Sequence, residues 1–223
     1  MSGRLPRNGF GARLSHFIRV NGLYLFLREL ARRCGVAFRR QVLGGKVGNR
    51  SIVLGPRSFL RGLSHISIGE NFQAAEGLWL EAITAYAGQA FTPRIVIGKN
   101  VAVSRWSHIA ATHLVEIGDG VLIGSRVIIT DHNHGSYSGP YASPEIAPVL
   151  RTLDCDKKVV IGRNVWLGDG VVVSPGSTIG EGSVIGANAV VTGMIPPFTL
   201  AVGVPAKPLK RYDFISKEWV RIK

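Results

Sequence analysis

Residues 161–196 read IGRNVW LGDGVV VSPGST IGEGSV IGANAV VTGMIP when broken every six positions. An aliphatic residue opens each unit, at Ile161, Leu167, Val173, Ile179, Ile185 and Val191, and a small residue usually follows it. The same phase holds upstream at Ile97, Val103 and Ile109, slips by two residues, and continues at Ile117, Ile123 and Ile129. A period of six does not fit a 3.6-residue helix, whereas short strands joined by glycine-bearing corners accommodate it. Three such units make a triangular coil in which each aliphatic side chain points inward and stacks on its equivalent in the next coil. The expectation is an all-β fold of stacked coils. The small second residue is read as the one that lets the backbone turn tightly. Weaker units, LGPRSF from Leu54 and IGENFQ from Ile68, put the start of the coil near residue 47. Residues 73–94 break phase and read as an insertion or an irregular coil.

Composition agrees with this reading. Glycine (28) and proline (11) are abundant and aromatics make up only 8%, which suits many turns better than a helical bundle. A chain of 223 residues fits one domain with small appendages. The two cysteines, Cys34 and Cys155, have no metal or redox spacing. With no signal-peptide pattern they read as free thiols in a reducing cytoplasm.

The net charge of +13 belongs to the ends. Residues 1–50 carry 11 Lys/Arg against the single acid Glu29, and residues 207–223 carry six against two. Nucleic acid is not expected as a partner, because no stacking platform or nucleic-acid motif accompanies the charge. An anionic membrane surface or cofactor phosphates account for it as well. Residues 11–35 look helical, with Leu14, Phe17, Ile18, Leu23, Phe26, Leu27 and Leu30 apolar and Arg13, Arg19, Arg28, Arg32 and Arg33 interleaved. Such a helix packs on the coil or a neighbouring subunit, or lies in an anionic membrane interface. Its apolar run is too short to span a bilayer. The expected organisation is a basic amphipathic segment (1–46), the coil domain (47–210) with a site loop at about 131–160, and a closing helix or strand (211–223).

The coil is interrupted after ITDHNH (129–134), where Asp131, His132 and His134 precede a loop rich in Gly, Ser and Pro. In the hexad register His134 is the sixth residue of its unit, and the repeat resumes with IGRNVW, ending in Trp166. The order of coil, histidine, loop and a unit ending in Trp resembles the left-handed β-helix hexapeptide-repeat acyltransferases related to maltose and galactoside acetyltransferases. The DHxH stretch and longer loop look like their polysaccharide O-acetyltransferase branch. The resemblance covers roughly residues 50–210 and is densest over 95–210.

It implies a left-handed parallel β-helix, with an N-terminal helical segment and a short C-terminal element. It also implies an acetyl-CoA-dependent O-acetyltransferase acting on a saccharide acceptor in cell-surface polysaccharide biosynthesis. The expected state is a homotrimer with sites between subunits, cytoplasmic, with peripheral contact at the inner face of the membrane through the N-terminus. No metal is expected. His134 is preferred over His132 as the base, with Asp131 or a backbone carbonyl orienting the ring. A neutral imidazole suits the task, because a sugar hydroxyl must lose its proton as it attacks a thioester. Idle, solvated histidines are the plain alternative.

Trp166 matches a residue beside the family's site, though it could be corner packing. Asp169, Ala187 and Thr192 match positions that hold coenzyme A. The closing VTGMIPPFTLAVGVPAKPLKR places Lys207, Lys210 and Arg211 where they could pair with nucleotide phosphates, unless they are a solvated tail. The galactoside and maltose enzymes carry an acceptor-binding Asn where this chain has Ser104, which leaves Ser104, Arg105, Trp106 and His108 to shape the acceptor pocket. A covalent acyl-enzyme on Cys155 is disfavoured, because nothing marks that thiol as activated.

Three other readings compete. The same coil and histidine serve antibiotic and amino-sugar N-acetyltransferases. A γ-class carbonic anhydrase-like metal hydrase would use His108, His113 and His65. A scaffold without activity is the third.

Overall fold

The computed structural model describes residues 51–137 and 144–222, together with Leu23, Tyr24, Leu27, Leu30, Ala31, Cys34 and Gly35. Those seven residues are helical, and Leu23, Leu27 and Leu30 are exposed. The expectations for residues 1–22 and for the coil start at residue 47 fall outside the described residues.

Six coils follow one another. The first is β1 (Val53–Leu54), β2 (Phe59–Arg61) and β3 (Ile66–Ile68). The second is β4 (Gln73–Ala74) and β5 (Trp79–Ala82), then a side hairpin of β6 (Ala85–Tyr86) and β7 (Gln89–Ala90), and β8 (Arg94–Ile97). The third is β9 (Ala102–Val103), β10 (His108–Ala111) and β11 (Leu114–Ile117). The fourth is β12 (Leu122–Ile123), β13 (Ile128–Thr130), the loop strands β14 (Asn133–His134) and β15 (Leu153–Asp154), and β16 (Val159–Ile161). The fifth is β17 (Trp166–Leu167), β18 (Val172–Val173) and β19 (Thr178–Ile179). The sixth is β20 (Val184–Ile185), β21 (Val190–Val191) and β22 (Met194–Ile195). The chain closes with β23 (Thr199–Val202), β24 (Lys207–Asp213) and β25 (Glu218–Arg221).

Strands of successive coils pair in parallel and form three flat faces, the architecture of a left-handed parallel β-helix. Register makes the inward columns explicit. The first face stacks Leu54, Ala74, Val103, Ile123, Leu167, Ile185 and Ala201. The second stacks Leu60, Leu80, Ile109, Ile129, Val173 and Val191. The third stacks Ile68, Ile97, Ile117, Ile161, Ile179 and Ile195. All twelve aliphatic positions of the hexad reading are buried in this core.

Three details differ from the sequence reading. Residues 73–82 are in phase, with Ala74 and Leu80 in their columns, and the insertion is confined to the segment around the β6–β7 hairpin. The fifth residue of a unit also points inward, as Val101, Val121, Val127, Val165 and Val171 do. Where that position is Ser107, Ser177 or Ser183, the hydroxyl donates to a backbone carbonyl at 2.8–3.0 Å.

The third difference concerns the small residue after each aliphatic. It is needed for stacking and not for turning. A Cβ on Gly118, Gly162 or Gly168 would meet the next coil's backbone nitrogen at 2.6–2.7 Å, and none of the three has positive φ. Left-handed φ falls two places later, at Asn100, Trp106, Gly120, Arg126, Asn164, Gly170, Gly182 and Asn188. At the C-terminus β24 and β25 add antiparallel to the first face, so the closing element is a pair of strands.

Candidate active site

Asp131 sits where the coil is interrupted. It follows the end of β13 at an inward position and is 0% exposed. Its carboxylate accepts the backbone N–H of Thr112 at 2.9 Å and those of His113 and Leu114 at 2.8 Å, together with the Thr112 hydroxyl at 3.1 Å. Burial alone would push its pKa up. The hydrogen bond from His132 and those from the amides of Thr112 and His113 outweigh it and hold the carboxyl below its usual range. An ionised carboxylate thus fills a nest of amides on the coil below.

The same carboxylate takes the His132 ring. Nδ1 lies 2.9 Å from Asp131 Oδ1 and 3.1 Å from Thr130 Oγ1, and the His132 side chain is 10% exposed. With Asp131 ionised, Nδ1 carries the proton and Nε2 is the nitrogen able to accept another. His134 is placed differently. It is exposed, pairs through its backbone with Leu153, and meets the Tyr86 ring edge-to-face at 5.1 Å. Asp131 therefore orients His132, and the ring contact to His134 comes from Tyr86 on the β6–β7 hairpin.

Beneath them, the outer side of the second face carries a cluster that the hexad reading did not find. Trp79 stacks on His108 at 4.4 Å, Trp79 Nε1 donates to Glu81 Oε2 at 2.9 Å, and Arg61 donates to Glu81 Oε1 at 3.0 Å. His108 Nε2 is buried without a hydrogen-bond partner among the described residues. Burial pushes the His108 pKa down, Glu81 opposes this, and nearby His132 lowers it further. His108 is thus neutral near pH 7. The signal for this cluster was local, because Trp79 and Glu81 flank buried Leu80 in a period-two pattern. Tyr86 and Gln89 left no sequence signal beyond the broken phase.

The remaining sequence-derived residues lie on the outside of the coil. Trp166 is 51% exposed on the first face, paired with Leu122 and Val184. Asp169, Ala187 and Thr192 are exposed, and Asp169 Oδ1 accepts the Ser125 amide at 2.6 Å, which ties two coils together. Asp119 does the same for Lys99 at 2.7 Å. Lys207, Lys210 and Arg211 are exposed along β24, Ser104 is half-buried, and Arg105 is exposed. Burial and then Asp156, Asp131 and Asp154 push the Cys155 thiol up, away from the nucleophilic thiolate. No group of three His, Cys, Asp or Glu among the described residues is arranged to hold a metal ion. No described helix is long and apolar enough to cross a membrane.

Comparison with known proteins bears on the family and the fold. The family described as bacterial transferase hexapeptide (six repeats) matches residues 158–193. WbbJ of Escherichia coli K12, described as a lipopolysaccharide biosynthesis O-acetyl transferase, is 44% identical over 163 residues, covering 72% of this chain and 79% of WbbJ. Rv3034c of Mycobacterium tuberculosis H37Rv, described as an acetyltransferase, is 32% identical over 178 residues, covering 76% of this chain and 55% of its own length. Among solved structures, AntD, an N-acyltransferase from Bacillus cereus in complex with dTDP and 3-hydroxybutyryl-CoA, superposes with a TM-score of 0.59 at 21% identity, over 72% of this chain and 80% of AntD. That likeness concerns the fold. The columns, the interrupted corner and the extent of the WbbJ match together make this chain a member of the hexapeptide-repeat transferase family.

Proposed function

We propose that this protein is an acetyl-CoA-dependent O-acetyltransferase that places an acetyl group on a saccharide hydroxyl during cell-surface polysaccharide biosynthesis. The observation that carries this reading is the 44% identity to WbbJ over most of both chains, with the histidine-bearing corner set between parallel ladders that continue past it. In the proposed reaction His134 removes the acceptor hydroxyl's proton as the oxygen attacks the thioester carbonyl carbon. The tetrahedral intermediate collapses, the C–S bond breaks, and the imidazolium returns the proton to the departing thiolate. His134 is favoured by its register and by its exposure, which lets an acceptor reach it. The Asp131–His132 pair fastens the start of the same corner to the coil below.

Ser104 and Arg105 are assigned to the acceptor, and Trp166 to acceptor and pantetheine together. Asp169, Ala187 and Thr192 are assigned to coenzyme A along the coil, and Lys207, Lys210 and Arg211 to its phosphates. Fixed positive charge on a strand suits that last role.

One observation favours a second assignment. His132 holds the carboxylate contact that orients a general base in many hydrolytic sites. An acetyl-transfer assay on single variants separates the two. His134→Ala is expected to lower turnover by about 10²–10⁴-fold with acetyl-CoA binding intact, and His132→Ala to lower it less. If His134→Ala keeps near-parental turnover while His132→Ala is dead, the base is His132. If the parent binds no acetyl-CoA, the transferase reading fails.

The proposed assembly is a homotrimer with sites between subunits. It works in the cytoplasm at the inner face of the membrane, held there by the exposed apolar positions Leu23, Leu27 and Leu30 together with the basic N-terminal residues. Sedimentation at trimer mass, and pelleting with anionic vesicles that Leu23→Glu/Leu27→Glu abolishes, is the expected result. A monomer that never pellets would remove both statements.

A further inference from the structure

The β6–β7 hairpin leaves the second coil, two coils below the loop that follows His134 in the stack order, yet it makes specific contacts with that loop. Its tip carries positive φ at Ala87 (45°) and Gly88 (78°), a tight two-residue turn of the hairpin type, and Phe91 N–H closes it onto Thr84 O at 2.8 Å. Two side chains project from it. Tyr86 Oη donates to the Val149 carbonyl at 2.9 Å while its ring packs edge-to-face on His134. Gln89 behaves like an extra strand residue, because its Oε1 accepts the Leu153 N–H at 2.7 Å and its Nε2 donates to the Leu153 carbonyl at 3.4 Å. Leu153 is buried and pairs directly with His134. The hairpin therefore touches His134 through its ring and again through the strand beside it.

We infer that the β6–β7 hairpin is a positioning element for the proposed base, with Tyr86 fixing the imidazole of His134 and Gln89 fixing the returning strand. This rests on the assignment of His134 above. His134 is exposed and receives no contact from the Asp131 carboxylate, so without Tyr86 its ring would sample several rotamers. An exposed ring held by an edge-to-face aromatic contact keeps solvent access and loses freedom, which is what a base presented to an incoming acceptor requires. The Tyr86 hydroxyl is engaged with Val149, which leaves the ring as the working part of that residue.

The test uses the full chain with Tyr86→Leu, Tyr86→Phe and Gln89→Met. The His134 ring resonance in proton NMR, assigned by its loss in His134→Ala, reports the contact whether or not the protein is active. Tyr86→Leu is expected to shift that resonance and to lower kcat by roughly 10–100-fold with the KM for acetyl-CoA unchanged. Tyr86→Phe, which keeps the ring, is expected to restore both. Gln89→Met is expected to speed tryptic cleavage after Arg151, on the segment that Leu153 anchors. A parental resonance and kcat in Tyr86→Leu would overturn the inference, as would a Tyr86→Phe variant as impaired as Tyr86→Leu. A resonance shift in a chain that transfers no acetyl group would uphold the contact and refute the assigned reaction instead.

Discussion

Two corners of the coil follow opposite rules. From the first face to the second the chain turns identically six times, with inward residues Leu54 and Leu60, Ala74 and Leu80, Val103 and Ile109, Ile123 and Ile129, Leu167 and Val173, and Ile185 and Val191 all six apart. From the second face to the third, few turns agree. Leu60 to Ile68 and Ile109 to Ile117 hold two extra residues, Leu80 to Ile97 admits the hairpin, and Ile129 to Ile161 admits the long loop. Residues added at a corner leave the parallel ladders and the inward columns intact, and their closure cost grows slowly with length. One corner is therefore free to vary while the other keeps the stack in register. Both histidines, Asp131, Tyr86 and Gln89 lie at the variable corner, where the rigid stack can hold them without changing itself.

Asp131 is where the variable corner is fastened to the stack, so its loss should break the contrast most. Asp131→Asn turns an amide donor toward the N–H groups of Thr112, His113 and Leu114 and removes the charge that His132 faces. The expected cost is about 3 kcal/mol, or roughly 6–12 °C in Tm for a chain of this size. A variant melting within about 2 °C of the parent would show that the corner is held by something else. Acid should act through the same contact. Because Asp131 titrates lower in the folded chain than in the unfolded one, its contribution is complete above about pH 4 and is lost as pH falls through the folded value. His108 has the same sign at higher pH. Burial keeps it neutral, so stability begins to fall below about pH 6.5, as the unfolded chain takes up the proton first. Acid unfolding should show both stages, with Asp131→Asn flattening the lower and His108→Gln the upper.

What was legible in the sequence follows the same division. The columns were readable because every coil repeats one physical demand, an aliphatic residue facing inward, and the demand recurs at Ile97, Ile117 and Ile161 alike. The hairpin was visible only as broken phase. Tyr86 meets His134 because two insertions share one corner, and no periodicity encodes contact between residues that far apart in the chain. His132 and His134 were found together, but their separate environments depend on whether a side chain falls beneath the corner, beside Asp131, or outside it. The exposed Lys207, Lys210 and Arg211 were read from a resemblance, and their strand is a local antiparallel addition that the hexad does not specify. The role of the second hexad residue, stacking where the sequence suggests turning, is hidden for a related reason. A glycine required by a neighbouring coil and a glycine required by its own φ look the same in sequence.

Glycine pairs give a smaller effect that sharpens the comparison. Gly162 is the second residue of a regular unit, and a Cβ there would lie 2.6 Å from Glu181 N, a backbone atom of the next coil. Its φ is ordinary, so any penalty in Gly162→Ala comes from spreading the stack, with an expected cost of about 1–3 kcal/mol. Gly193, at the third place of the last unit, is also free of positive φ and has nothing within 4 Å of an added Cβ. There Gly193→Ala should be neutral or stabilising by about 0.4–1 kcal/mol, through a less flexible unfolded chain. Thermal melts of the two variants decide between the two explanations of the motif. If the small residue served the turn, both substitutions would be tolerated at these ordinary φ values. If it serves the stack, Gly162→Ala alone should fall, because only there does another coil press against the missing side chain.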